Sequence, residues 1–333
     1  MGVCVYCMAD LGCTGALKRS TNLSIFLNLL FSGMRKIFIL FGSFILLAAC
    51  NSSTSNAPIE TTSEGEINIS VEESFKPIIE EQLKVFNSSY PKAKIHVYYK
   101  SEIACLKDLT ADSTRMIIIT RGLEKAEQAG FKNQLGYAPT FGILAYNAIA
   151  VLVHKSAKDT LFTLKQLGDK LKGVDPQEVV MDGNNLTGIN RFLKDSLLKQ
   201  APFGKNVHGA NGSADVISYI KNNRNAIGFL GLNWVGDKYD PKQVENQKQV
   251  KTAMVECTLC EETGTYAQPS QATIGRGQYS LSLPIYYILK ENAPGLGSGF
   301  LNFLSLERGQ LIFRRAFLVP AKMGFKKRNG LLN

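Results

Sequence analysis

The stretch VVMDGNNLTGINRFLKD, Val179 to Asp195, changes its hydrophobic period midway. Val179–Met181 is a short apolar run with the length and composition of a buried strand. From Ile189 onward the apolar residues fall at helical spacing. Ile189, Phe192, Leu193 and Leu197 share one face, which predicts a helix over Gly188–Lys199. Between strand and helix lies the polar turn Asp182–Gly188. Asn185 and Thr187 stand just ahead of the periodic run, where N-cap residues belong. A strand feeding a helix through a short polar turn is the unit of α/β folds, and its exposed helix N-terminus is a place for an anion.

The same alternation runs along the chain. Ile67, Ile69 and Val71 alternate as a strand, and Phe75, Ile78, Ile79, Leu83 and Phe86 follow at helical spacing. KIHVYYK (94–100) reads as a strand, 101–112 as a short helix, RMIIIT (115–120) as a strand buried on both faces, and 121–130 as a helix. GILAYNAIAVLVHK (142–155) is long and apolar, an extended strand or a pair of strands. Helices are predicted over 163–173, 212–223 and within 297–317, and strands over 178–181, 226–232, 249–257 and 279–290. Strands alternating with helices predict an α/β fold with mostly parallel sheets. Helices open on Ser or Thr after a strand at Ser74, Ser101, Thr120, Thr187 and Ser213. In such sheets ligands sit outside the carboxyl ends of strands, where helix N-termini converge.

The N-terminal region has a different character. Met34-Arg35-Lys36 is a basic start, Ile37–Ala49 is apolar or small throughout, and Leu47-Ala48-Ala49-Cys50 closes it. The apolar run is too short to span a bilayer comfortably and has the layout of a secretory signal over 34–49. Its end resembles a bacterial lipobox, in which Cys50 is lipidated. The Ser/Thr-rich segment 50–65 suits a flexible tether. Residues 1–33 then precede a complete signal peptide and read as an extension from a mis-called start.

Net charge is +10, of which +3 lies before Cys50, leaving +7 after it. No basic stripe is interleaved with aromatics, so nucleic-acid binding is not expected. His96, His154 and His208 show neither metal spacing nor a nucleophile nearby, and no phosphate loop of the G-x-x-x-x-G-K-S type is present. No cofactor, metal or catalytic residue is expected. Glu72-Glu73 beside Ser74 is the nearest thing to an acid/base pair and reads as a solvated strand end. Cys257 and Cys260 admit a tight disulfide, a metal half-site or two free thiols.

Several segments together resemble the phosphate-binding protein of bacterial phosphate ABC importers. SFKPIIEEQLKVFNSSYPKAKIHV, TRGLEKAE, NAIAVLVHK, MDGNNLTGINRFL, NGSADVISYIKNNRNAIGFLGL and the return segment beginning YSLSLPIYYILK follow that family's order across Ile67 to Phe325. The resemblance implies a two-lobe type II periplasmic-binding-protein fold with the ligand cleft between lobes. Lobe 1 would comprise 66–147 and 284–333, and lobe 2 residues 148–283, with crossovers near Asn147–Leu152 and Pro284–Leu289. It implies ligand contacts at Ser74, Phe75, Ser101, Thr120, Asn185 and Thr187. The family's Asp falls where this chain reads Arg115-Met116-Ile117-Ile118, and its Arg falls where this chain reads Val179-Val180-Met181. Arg121 is therefore expected to supply the cationic contact. The function implied is non-enzymatic. An exported, lipid-anchored monomer, membrane-bound through Cys50, would pass phosphate or a similar oxyanion to ABC permease subunits. The alternative is a sensory or scaffolding lipoprotein of the same fold with an altered or lost ligand.

Overall fold

The structure is a computed structural model that describes residues 60–183 and 187–322, all within one compact unit, Pro58–Asn333. Cys50, Asn185 and the proposed signal segment lie outside the described residues.

The predicted alternation is present. β1 (Gly65–Glu72), β2 (Ala93–Lys100) and β3 (Thr114–Ile119) run parallel in the order β2-β1-β3. They are connected by α1 (Lys76–Ser89) and α2 (Glu102–Leu109), and α3 (Lys125–Leu135) follows β3. Met116 to Ile119 are wholly buried, as their unbroken apolar run requires. Pro77 is accommodated in the first turn of α1, where no intrahelical donor is lost.

The long apolar segment forms a single strand, β4 (Thr140–His154), which belongs to both halves of the molecule. Thr140–Ala148 pairs antiparallel with a late strand, Ser282–Leu289, which itself borders β3. Ile149–Val153 pairs antiparallel with Ile227–Gly231. Beyond the short strand β5 (Leu161–Phe162) and helix α4 (Leu164–Lys172), the second half is built from β6 (Val179–Asp182), α5 (Gly188–Ser196), β7 (Val207–Ala210), α6 (Ser213–Asn222) and β8 (Ile227–Gly231). Here β7, β6 and β8 are again parallel. Parallel strands thus form the two flanks, while the joining strands in the middle are antiparallel.

Hydrophobic burial divides at the same joint. One core draws on Ala148–Leu283, including Ile149–Val153, Ile189, Leu193 and Phe229. The other draws on Ile67–Ala145 and Ile285–Leu318, with Phe86 packed edge-on against Phe300 and Phe303. The fold is therefore α/β with two lobes. Glu307–Arg315 returns to the first lobe, where Gln82 of α1 donates to the Gly309 carbonyl at 2.8 Å. Cys257 and Cys260 are bridged, with Cα atoms 5.6 Å apart, which settles the three alternatives left by the spacing.

Two expectations about helix starts need correction. Thr120 opens no helix: β3 ends one residue earlier, and α3 starts only at Lys125, capped reciprocally by Glu124 and Glu127. Ser74 lies inside a short 3-10 turn, Glu73–Phe75. Ser101 and Thr187 do cap α2 and α5, while Ser213 is the first residue of α6 behind Gly212. The helix predicted over 188–199 stops at Ser196, and Lys199 and Gln200 take positive φ.

Candidate functional site

The carboxyl ends of β1 and β3 face the amino ends of α5 and α6 across the joint between the lobes. Glu72, the last residue of β1, is fully buried, so the solvated strand end expected from its sequence is overturned. Its burial comes from the opposite lobe: Oε1 accepts the Gly188 backbone N–H of α5 at 2.8 Å. That N–H belongs to the first turn of the helix and has no partner inside it. Glu73 makes the equivalent contact with α6, where its Oε2 accepts the Ser213 backbone N–H at 3.3 Å.

Glu102, in the first turn of α2, is 3% exposed. Its Oε1 accepts Arg191 Nε at 2.7 Å, and its Oε2 accepts Arg191 Nη2 at 3.4 Å and the Thr120 backbone N–H at 3.3 Å. The Thr120 hydroxyl donates to the same carboxylate and accepts from Arg191 Nη2 at 2.8 Å. Gly188 has to be glycine here, because a Cβ on it would lie 2.0 Å from Thr120 Oγ1 and 2.7 Å from Glu102 Oε2. Further contacts tie the lobes beside this cluster. The Ser74 carbonyl accepts Asn233 Nδ2 at 2.8 Å and Trp234 Nε1 at 2.9 Å, and Asn147 of β4 donates to Asn233.

The electrostatics follow from crowding acids in a dry joint. Burial, then the neighbouring charges of Glu102 and Asp182, push Glu72 well above the usual carboxylate range, opposed by the Gly188 N–H and Arg191. Asp182 at the end of β6 is fully buried and pushed up to about 7, first by burial and then by Glu73. Glu73 is also raised, chiefly by burial. Ser213 Oγ lies 3.0 Å from Asp182 Oδ2 and 3.3 Å from Glu73 Oε2. One hydroxyl proton serves only one of these acceptors. A protonated Asp182 resolves the conflict by donating to Ser213 Oγ, which frees the hydroxyl proton for Glu73.

The expected site residues separate in this frame. Thr120 and the start of α5 are brought together. Ser74 is buried at the joint, with an Oγ that has no partner among the described residues. Phe75 is wholly buried in the first lobe's core. Ser101 Oγ caps α2, accepting the Ala104 N–H at 3.4 Å. Thr187 Oγ1 accepts the Asn190 N–H at 3.3 Å and donates to the Asp182 carbonyl at 3.2 Å. Thr187→Val should therefore lower stability by about 1 kcal/mol, as loss of a cap does, in urea denaturation.

Arg121 is committed elsewhere. Both terminal nitrogens clamp the two Glu127 oxygens at 2.7 Å, a bidentate pair that holds Glu127 below the usual carboxylate range. Arg121→Ala should cost about 1 kcal/mol of stability in urea denaturation. The guanidinium at the joint is Arg191. Its sequence signal was its place in the first turn of α5, three residues after Gly188 and off the apolar face. Glu102, Asp182 and Asn233 gave no comparable signal.

What converges is a set of anion-binding groups. The Gly188 and Ser213 N–H groups sit at helix starts, with the Thr120 hydroxyl and Arg191 beside Gly188. Among the described residues, no group of His, Cys, Asp and Glu is arranged to hold a metal. No helix of the described residues is long and apolar enough to cross a membrane.

Two lobes joined by shared strands, with polar groups from both meeting at the joint, define a bilobal binding protein. The family model for a PBP superfamily domain matches residues 56–307, and the chain belongs to that superfamily. Among curated relatives, the phosphate-binding protein PstS of Pseudomonas aeruginosa is 22% identical over 268 residues, covering 71% of this chain and 78% of that protein. PstS of Staphylococcus haemolyticus is 22% identical over 272 residues, covering 76% and 80%. Among solved structures, a substrate-binding protein with bound phosphate from Clostridium perfringens superposes with a TM-score of 0.63 at 21% identity, covering 78% of this chain and 100% of that one. An ABC-type phosphate transport receptor from Vibrio cholerae gives 0.57 at 19% identity, covering 76% and 99%. These structural likenesses carry the fold.

Proposed function

We propose that this chain is a lipid-anchored solute-binding protein that captures phosphate or a related oxyanion between its lobes for an ABC importer. The observation that carries this reading is the meeting of the Gly188 N–H, Thr120 and Arg191, drawn from both lobes, around buried carboxylate oxygens. Groups that hold a carboxylate there suit a tetrahedral oxyanion as well, since both are read by N–H dipoles, a hydroxyl and a guanidinium. The names of the curated relatives point to the same ligand. Lobe 1 is 66–147 with 284 onward, and lobe 2 is 148–283. Cys50 carries the anchor after a signal peptide over 34–49, 50–65 is the tether, and the monomer docks on permease subunits. The protein performs no reaction on its ligand.

The test is titration calorimetry of the protein freed of residues 1–49 with inorganic phosphate, sulfate and larger oxyanions. Saturable heat with at least one of them is expected, and no heat with any would remove the reading. A second reading, a sensory or scaffolding lipoprotein of the same fold, is favoured by one observation: the anion-binding groups are already held by the chain's own carboxylates. Pull-down of permease subunits separates the two readings, since the second predicts none.

A further inference from the structure

A carboxylate and an inorganic oxyanion compete for the same partners. In this joint the partners are taken. The first lobe contributes the acids, Glu72 from β1 and Glu102 from α2. The second lobe contributes the Gly188 N–H and Arg191, both on α5. Thr120, also from the first lobe, completes the ring around Glu102. The carboxylates therefore do mechanically what a bound anion does in a two-lobe protein: they bridge the lobes.

A finished interface leaves no buried polar atom without a partner. This one leaves Asn190 Oδ1 on α5 and, on the first-lobe side, two more, Glu72 Oε2 and Ser74 Oγ, both in fully buried side chains and both unpartnered among the described residues. The latter two lie in the same segment, at the end of β1 and in the turn that follows. The joint thus engages the Gly188 N–H and Arg191 of the second lobe but leaves these two polar atoms of the first unsatisfied.

We propose that Glu72 and Glu102 are resident stand-ins for the ligand, which hold the lobes together in its absence and which an oxyanion must displace from Gly188, Thr120 and Arg191 in order to bind. This rests on the oxyanion-receptor reading above. Each carboxylate has two oxygens and serves part of the donor set. A tetrahedral oxyanion has four and can serve the whole set at once, which is how it can succeed against two separate acids. Displacement leaves Glu72 in a dry, acid-rich setting. It faces Glu102 and Cys105 on α2, Asp182 on β6, and Gly188 and Arg191 on α5. Burial and these neighbouring acids already raise its affinity for a proton while the Gly188 N–H and Arg191 oppose them, and losing those two partners acts in the same direction as burial.

The test uses the double variant Glu72→Gln/Glu102→Gln, which keeps side-chain shape and removes both charges. Ligand-free protein is measured by small-angle X-ray scattering, and phosphate binding by calorimetry at one pH for variant and wild type. The expected result is a larger radius of gyration for the ligand-free variant than for wild type, recompaction on adding phosphate, and phosphate affinity raised at least about tenfold. Unchanged dimensions of the ligand-free variant would overturn the proposal. So would an unchanged or weakened phosphate affinity, the weakened case marking the acids as direct ligand contacts. If neither protein binds phosphate, the oxyanion reading fails, and the scattering result alone decides whether the acids latch the lobes. Gly188→Ala provides the second variant: its Cβ would press on Thr120 and Glu102 without changing any charge. It should expand the ligand-free protein in the same way, and a compact Gly188→Ala protein would overturn the latch.

Discussion

Arg191→Ala should lower the free energy of unfolding by about 3 kcal/mol, because it strands the Glu102 carboxylate in a dry joint. Glu102 is 3% exposed, and Arg191 supplies two of its donors, at 2.7 and 3.4 Å. What remains is Thr120, through its backbone N–H and its hydroxyl. Removing one partner of a buried pair typically costs about 3–5 kcal/mol. The lower end applies here, since the Arg191 side chain is 35% exposed and water screens part of the interaction. Urea denaturation of the single variant, of Glu102→Gln and of the double variant measures this directly. The double variant should be more stable than Arg191→Ala alone, because no buried charge is then left unpaired. Strictly additive losses would mean that the two side chains do not act as a pair. Phosphate affinity should fall in Arg191→Ala and hold in Arg121→Ala, which reverses the order expected from the sequence alone.

Stability should also fall as pH rises from about 4 to 7, which is the opposite of ordinary acid denaturation. Asp182 moves from 3.8 to about 7 on folding. The folded state therefore binds its proton more tightly than the unfolded chain does. Its stabilising contribution is complete below about pH 4 and is lost as pH rises through about 7. At about 1.4 kcal/mol per pKa unit, the swing from Asp182 is on the order of 4 kcal/mol. Glu72 and Glu73 shift in the same direction and add to it. Denaturation midpoints taken across this range should decline, and Asp182→Asn should flatten the decline. A flat wild-type profile would mean that the joint takes up water and keeps these acids ionised.

Much of the fold was legible because the hydrophobic period switches cleanly between two and 3.6. β1, α1, β3 and the strand-turn-helix of the opening stretch all lie where that switch puts them. Elements with no apolar face were invisible. Pro241–Gln249 is a helix whose one buried residue is Gln243, and β7 is a short edge strand with no fully buried residue. At the site, the local chemistry was readable. Thr187 caps its helix, and Thr120 lies in the joint. The tertiary chemistry was not. Glu72 looks solvated because strand-end acids usually are, and it is buried by a helix 116 residues further along the chain. Arg121 looked available because Glu127, six residues on, gives no sign in the sequence that it will turn back to clamp it. Arg191 was hidden on a helix read only for its apolar stripe.

β4 carries a last consequence. Eight of its first nine residues are paired into one lobe's sheet and the next five into the other's. Neither lobe can come apart without fraying a strand on which its neighbour depends. The two cores should therefore melt as one cooperative unit despite being separate in space. The same continuity makes the connection a torsion bar. Lobe motion has to be absorbed as twist within a fully bonded ribbon, which favours a few discrete settings over free swinging.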